Sequence, residues 1–200
     1  MAVELITGHA ATPHVSADDA ATFNKAIFGG GNYVLNGCAV SVESANAVSI
    51  APGNMLLEGR HVRITTPQMI DNIENGTSGY KRIDTLAVHY HKELSGVESV
   101  DFKVVKGTPA QRNPVHPKMP GDTSGIGQAM DVYVPFATIR ITDLTPNVEK
   151  ILIPSGAVPI ASGGTGAANR VEALKNLGIS WGTDPAPTTG EPNTVYFQII

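Results

Sequence analysis

The feature that most constrains the fold is a series of short apolar runs between residues 33 and 64, separated by tight-turn residues. Asn36-Gly37 and Pro52-Gly53 are strong turn pairs, and the apolar runs around them are only a few residues long. A parallel neighbour needs a crossover of about a dozen residues, so links this short permit only antiparallel pairing. The stretch therefore predicts four short antiparallel strands.

Longer strand patterns follow. Residues 82–91 predict a strand, and residues 100–105 predict its partner. Residues 132–141 predict the next strand region, in which Pro135 implies an edge position or a bulge. Between them, residues 107–128 are rich in Pro and Gly and predict a long loop of the kind that is usually functional or mobile.

Outside these strands the sequence predicts one N-terminal helix and one shorter loop. Ser16 and Asp19 have the spacing of a capping box, with Asp in place of Glu. Apolar residues at helical spacing follow, and the glycines at 29–31 end the pattern, which predicts a helix near residues 17–28. The turn-rich residues 66–79 predict a loop.

Composition narrows the classes of function. The chain of 200 residues has 16% charged residues and a net charge of −4, whereas an ordinary domain is about a quarter charged. The lack of basic excess argues against a nucleic-acid partner, and no apolar run is long enough to predict a membrane span. A lone cysteine, Cys38, excludes an intramolecular disulfide and a Cys-rich zinc site.

The charge deficit is deepest in the last 50 residues, which hold five charged side chains. This scarcity of charge predicts that residues 151–200 are buried between subunits.

No set of residues has the pattern of a catalytic site. The Gly-x-Ser-x-Gly letters at 178–182 follow a helix pattern instead of joining a strand to a helix, so they do not make a nucleophile elbow, and the glycine-rich segment at 163–166 lacks the Lys-Ser/Thr pair of a P-loop. That segment therefore predicts a tight turn or close chain packing. We expect a protein that is not an enzyme and has no cofactor.

Two C-terminal segments carry a resemblance to a known family. Residues 161–179 contain Gly-Gly-Thr-Gly-Ala, followed by a short helix pattern that ends in Asn-Leu-Gly, with Gly178 as the closing glycine. This resembles the "GGTGA…A…NLG" segment of bacteriophage tail-fibre proteins. Residues 190–198, Gly-Glu-Pro-Asn-Thr-Val-Tyr-Phe-Gln, resemble the strand that closes many fibre segments.

The first 145 residues are similar in layout to N-terminal domains of siphophage baseplate or receptor-binding proteins. The similarity lies in the "APG…L.EGR…I" pattern at 51–64, the "RIDTL" strand at 82–86 and the "VVKGTPA" strand at 104–110. The resemblance implies a structural protein of a phage or prophage virion tail, made in the bacterial cytoplasm, that assembles as a homotrimer and supports host attachment. The implied partners are further copies of the chain and other tail or baseplate proteins, with host cell-surface polysaccharide as a further candidate.

The predicted fold is mainly β, in two parts. Residues 1–145 are expected to form a short helix on an antiparallel β-sandwich or small barrel, and residues 146–200 a fibre-like segment with a short helix and a terminal strand. Small residues allow three backbones to approach closely, and uncharged side chains avoid burying charge at an axis. The residues expected to pack the trimer are Gly163, Gly164, Gly166, Leu174 and Leu177.

Two alternatives concern binding. A stand-alone carbohydrate-binding module that recognises bacterial surface glycans would use the 107–128 loop and stack sugars on Trp181 and Tyr196. His89 and His91 lie on one strand face, because strand side chains repeat every two residues. Around a trimer axis such a pair could give six nitrogen ligands to one metal, and phage tips that resemble this use His-x-His for iron. No third ligand type lies nearby in the sequence, so a polar strand face without metal is the competing interpretation.

Overall fold

The computed structural model describes residues 15–153, 164–167, 169–182 and 194–198. Within these residues the chain is mainly β, as predicted, with two helices and twelve strands. Neither described helix is long and apolar enough to cross a membrane. In chain order the elements are α1 (Ala17–Phe28), β1 (Asn32–Gly37), β2 (Val40–Ser44), β3 (Ala47–Ile50), β4 (Gly53–Leu57), β5 (Arg60–Ile64), β6 (Gln68–Ile70), β7 (Lys81–Lys92), β8 (Glu98–Val105), β9 (Asp131–Thr142), β10 (Thr145–Ile151), α2 (Arg170–Asn176), β11 (Ile179–Gly182) and β12 (Val195–Gln198).

Helix α1 begins and ends where the sequence predicts. The Ser16 hydroxyl accepts a hydrogen bond from the Asp19 N–H at 3.1 Å, and the Asp19 carboxylate accepts one from the Ser16 N–H at 2.9 Å. Gly29 ends the helix with a φ of 81°. Ala21 is the buried residue of α1, whereas Phe23 is 68% exposed. The helix therefore packs on the rest of the chain through a narrow face.

Residues 33–64 contribute to two three-stranded antiparallel sheets, which confirms the prediction that their strands are antiparallel. One has the order β1-β4-β5 and the other β2-β3-β6. The stretch holds five strands where four were predicted, and β6 lies inside the predicted loop at 66–79. Gly37 and Gly53 face each other where β1 meets β4, and a Cβ on Gly37 would overlap the backbone of Pro52. This close crossing explains the glycines of both turn pairs.

The largest sheet is antiparallel, with the order β10-β9-β7-β8. Pro135 lies in an inner strand rather than at an edge, which corrects one of the two predicted alternatives. The register between β7 and β9 shifts between Leu86 and Ala87, opposite Pro135, so the predicted bulge is present. β10 was not predicted, and the first structural unit continues past the predicted boundary at 145, because Ile153 is still only 4% exposed in the core.

One core joins the three antiparallel sheets, and no described sheet closes into a barrel, so the small-barrel alternative is not what the chain adopts. Each sheet contributes fully buried apolar side chains. The largest include Phe136, Ile50, Met55, Leu57 and Leu86.

Beside this core lies a buried ion pair, Arg82–Asp84, whose side chains are 4% and 1% exposed. The guanidinium donates from Nε to Oδ1 at 2.8 Å and from Nη2 to Oδ2 at 3.0 Å. Arg82 also donates to the Glu74 carbonyl, and the Gly107 N–H donates to Asp84 Oδ1. The pair therefore ties two long connecting segments to β7.

The predicted loop at 107–128 runs without a helix or strand through its residues, all of them described. It is nevertheless anchored to the large sheet. Single β-bridges join Ala110 to Lys81 and Gly121 to Val132, and Ile126 is buried in the core.

Candidate functional site

The described C-terminal residues form a small unit of one helix and two parallel strands. Asn169 caps α2 by accepting a hydrogen bond from the Glu172 N–H, and Gly178, with a φ of 71°, turns the chain into β11. The predicted helix is therefore confirmed, whereas β11 was not predicted. The Asn176 side chain donates to the Thr165 carbonyl at 2.8 Å, which holds the glycine-rich segment against the helix end.

One face of the β11–β12 sheet is apolar and open to solvent. Ile179 pairs with Val195, and Trp181 pairs with Phe197, so the four side chains lie on the same face. Trp181 is 41% exposed, Val195 55% and Phe197 57%, and Ile179 is half-buried. We call these four residues the apolar sheet face.

The residues predicted to pack a trimer lie in or beside this unit. Leu174 is half-buried and Leu177 is 58% exposed, so Leu177 adds to the exposed apolar surface of the single chain. Gly164 is half-buried, and Gly166 is exposed with a φ of 65°. Gly163 lies outside the described residues.

The two aromatic residues predicted to contact glycans are not brought together. Trp181 pairs with Phe197, whereas Tyr196 pairs with Ser180, so Trp181 and Tyr196 point to opposite faces of the sheet. A sugar platform made of both side chains is therefore not formed by this unit. Two other exposed aromatic residues, Trp181 and Phe197, lie opposite each other on the two strands.

The two predicted histidines lie on the outer face of the large sheet together with a carboxylate from β9. His89 Nε2 is 2.8 Å from Asp131 Oδ1, and His91 Nδ1 is 2.9 Å from the same oxygen. The sequence-based view that no third ligand type is near is therefore wrong. We call His89, His91 and Asp131 the histidine cluster. On the other side, His89 Nδ1 is 2.9 Å from Asp101 Oδ1, and the Asp101 carboxylate is paired with Lys103.

The charges of this region stabilise its carboxylates in the ionised form. Hydrogen bonds from His91 and His89 hold the pKa of Asp131 below its usual range. Burial raises the pKa of Asp101, but hydrogen bonds from Lys103 and His89 outweigh that effect and the net shift of its pKa is downward. The His89 ring also packs on Tyr133, with ring centroids 4.4 Å apart.

A third feature, which the sequence did not indicate, is a cleft of about 420 Å³ between α1, β5 and β8. Arg60 lines the cleft and donates to Glu98 at 2.9 and 2.8 Å, to the Ala17 carbonyl and to Asp18. Tyr90 lines the cleft, and its hydroxyl is buried. Burial, with the Glu98 carboxylate nearby, raises the pKa of Tyr90 to about 12. Arg60 and Glu98 are far apart in the chain, so no local motif could reveal their pairing.

The described residues thus present three features with a chemical character of their own: the apolar sheet face, the histidine cluster and the cleft beside Arg60. The histidine cluster is the one place in the described ranges where three His, Cys, Asp or Glu ligand atoms converge closely enough for a metal ion. Comparison with known proteins finds no family model that matches the chain and no curated protein that matches its sequence.

Proposed function

We propose that this chain is a structural protein of a phage or prophage tail, in the baseplate or tail fibre, that assembles as a homotrimer and supports host attachment. The observation that carries the proposal is the apolar sheet face, which a single chain leaves open to water. The tail-fibre resemblance of residues 161–179 and 190–198 lies in the same part of the sequence. The surface that favours assembly and the segments that resemble tail-fibre proteins therefore lie in the same C-terminal region.

A two-stranded parallel sheet is a poor independent structure. Parallel strands are normally covered on both faces, and two strands alone are marginal in water. Burying the exposed half of four large apolar side chains would contribute roughly 3–6 kcal/mol per chain. This gain favours a partner that covers the sheet.

A second and third copy of the same chain fit this surface chemically. β11 and β12 contain no charged residue, so bringing copies together there desolvates no charge. Gly164 and Gly166 next to the unit place no side chain in the way of a close approach. The resemblance to tail-fibre proteins favours three copies about an axis over a dimer.

The mass of the assembly in solution tests the proposal. Size exclusion with light scattering should give about three times 20.9 kDa for the wild type. Replacing Trp181 and Phe197 by Ser together should shift the mass to that of a monomer, because half of the apolar sheet face is lost. Leu94→Ser is the matched control: Leu94 is 95% exposed, yet it lies in the turn after β7, and its loss should leave the trimer intact.

Three results would count against the proposal. They are a wild-type monomer at micromolar concentration, a trimer that survives the double substitution, and loss of the trimer in the Leu94→Ser control. Specific binding of bacterial glycans by a wild-type monomer would favour the stand-alone carbohydrate-binding module. Genes for tail proteins on either side of the coding sequence would support the virion assignment, independently of the mass.

A further inference from the structure

The histidine cluster has the donor set and placement of a transition-metal site. We propose that His89 Nε2, His91 Nδ1 and Asp131 Oδ1 of one chain together bind one divalent transition ion of the zinc class. This site differs from an axial site made of histidines from three copies, because one chain supplies every ligand. It is therefore independent of the proposed trimer.

Strand register brings the three ligands to one face. His91 lies directly opposite Asp131 on β9, and His89 lies opposite Tyr133, two residues further along. Alternate residues share a face, so both imidazoles and the carboxylate project from the same side of the sheet. Their ligand atoms lie within 4.8 Å of one another. With metal–ligand bonds of about 2.0–2.1 Å, ligand atoms of a tetrahedral site lie roughly 3.3 Å apart, so side-chain rotation alone can close the site.

A contact with Asp101 holds the His89 ring in the orientation that metal binding requires. Its Nδ1 faces the Asp101 carboxylate at 2.9 Å and can keep its N–H there, while Nε2, 2.8 Å from Asp131, would give up its proton to a bound metal ion. Metal-binding histidines commonly donate their other ring N–H to a carboxylate in this way. Asp101 is held in turn by Lys103 at 2.6 Å.

Exposure and charge indicate the kind of ion. The side chains of His89, His91 and Asp131 are 13%, 40% and 46% exposed, so the open position of a bound ion would face solvent and carry water. Two imidazoles and one carboxylate suit zinc, cobalt or iron, whereas calcium and magnesium prefer oxygen ligands throughout. Asp131 and Asp101 bring two negative charges to the site, and Lys103 offsets one of them.

Cobalt titration of the untagged, chelator-treated protein tests the site, because four- or five-coordinate Co²⁺ absorbs visible light. We expect one Co²⁺ per chain and displacement of the band by Zn²⁺. His91→Ala and Asp131→Asn should abolish the band. Asp101→Asn removes only the charge behind His89 and should weaken binding by roughly 10–100-fold.

His61→Ala is the matched control, because His61 is an exposed strand histidine that contacts Asn54 outside the cluster. It should bind Co²⁺ as the wild type does, and far-UV circular dichroism should show that every variant is folded. The proposal is overturned if the wild type shows no saturable band, or if His61→Ala weakens binding as much as Asp131→Asn. One ion per three chains would also overturn it, in favour of an axial site.

Discussion

Removing the charge of Asp84 should strongly destabilise the large sheet. Asp84→Asn keeps the shape of the side chain but leaves the Arg82 guanidinium, 4% exposed, without a counter-charge. Loss of one partner of a buried ion pair costs about 3–5 kcal/mol, a large part of the roughly 5–15 kcal/mol that stabilises a domain. With a urea m-value of about 2 kcal/mol per molar, the unfolding midpoint should fall by about 2 M.

Urea unfolding followed by circular dichroism of the strands measures this shift. Glu149→Gln is the control, because Glu149 accepts a hydrogen bond from Arg140 in the same sheet but both side chains are well exposed, at 43% and 33%. An exposed pair of this kind contributes about 0–1 kcal/mol, so the control midpoint should barely move.

A thermodynamic cycle separates the ion pair from other effects of the substitution. Arg82→Met combined with Asp84→Asn should cost less than the two single changes together, because residues that interact directly are coupled by about 0.5–3 kcal/mol. The reasoning is refuted if Asp84→Asn lowers the midpoint no more than Glu149→Gln does, or if the two single effects at Arg82 and Asp84 simply add.

Two further predictions concern acid stability and backbone contact. The hydrogen bond from Arg60 lowers the pKa of Glu98 below its ordinary value of 4.5, so this stabilisation is present above pH 4.5 and is lost as the pH falls through the lowered pKa. Thermal unfolding against pH should therefore show a steeper acid loss for the wild type than for Glu98→Gln, and parallel profiles would contradict this. A Cβ on Gly107 would overlap the Ile83 carbonyl, so Gly107→Ala should destabilise by at least about 2 kcal/mol, while Gly30→Ala, with open space around it, should stay within about 0.5 kcal/mol. Equal urea midpoints for the two glycine variants would show that no such overlap exists.

The parts of the fold that were predictable are those set by neighbouring residues. The capping box at Ser16 and Asp19 placed α1, and the two-residue link between β4 and β5 required their antiparallel pairing, whereas Asn36-Gly37 lies within β1 and joins no hairpin. Outside residues 33–64 three further strands were missed: β6 and β11 because their partners are distant in the chain, and β10, which pairs with the adjacent β9, because it contains a proline. β6 is three residues long and pairs only with β3, β10 contains Pro146 and β11 pairs with the much later β12.

In the histidine cluster, too, contacts between neighbouring strands could be predicted from the sequence, whereas contacts with a distant strand could not. The pairing of β7 with β8 was predicted, and it alone places Asp101 opposite His89. Asp131 is on the other side of β7, in a strand reached only after the long 107–128 segment. No spacing in the sequence indicates which strand forms that neighbour, so the third ligand required the tertiary structure.

Trp181 has a consequence for how this protein can be followed in the laboratory. It is the chain's single tryptophan, and it lies on the apolar sheet face rather than in the large core. Its emission therefore reports on the surroundings of the C-terminal unit, while the strand signal in circular dichroism comes mainly from the rest of the molecule. On dilution, the emission of an assembly held together by that face should shift to longer wavelength before any strand signal is lost.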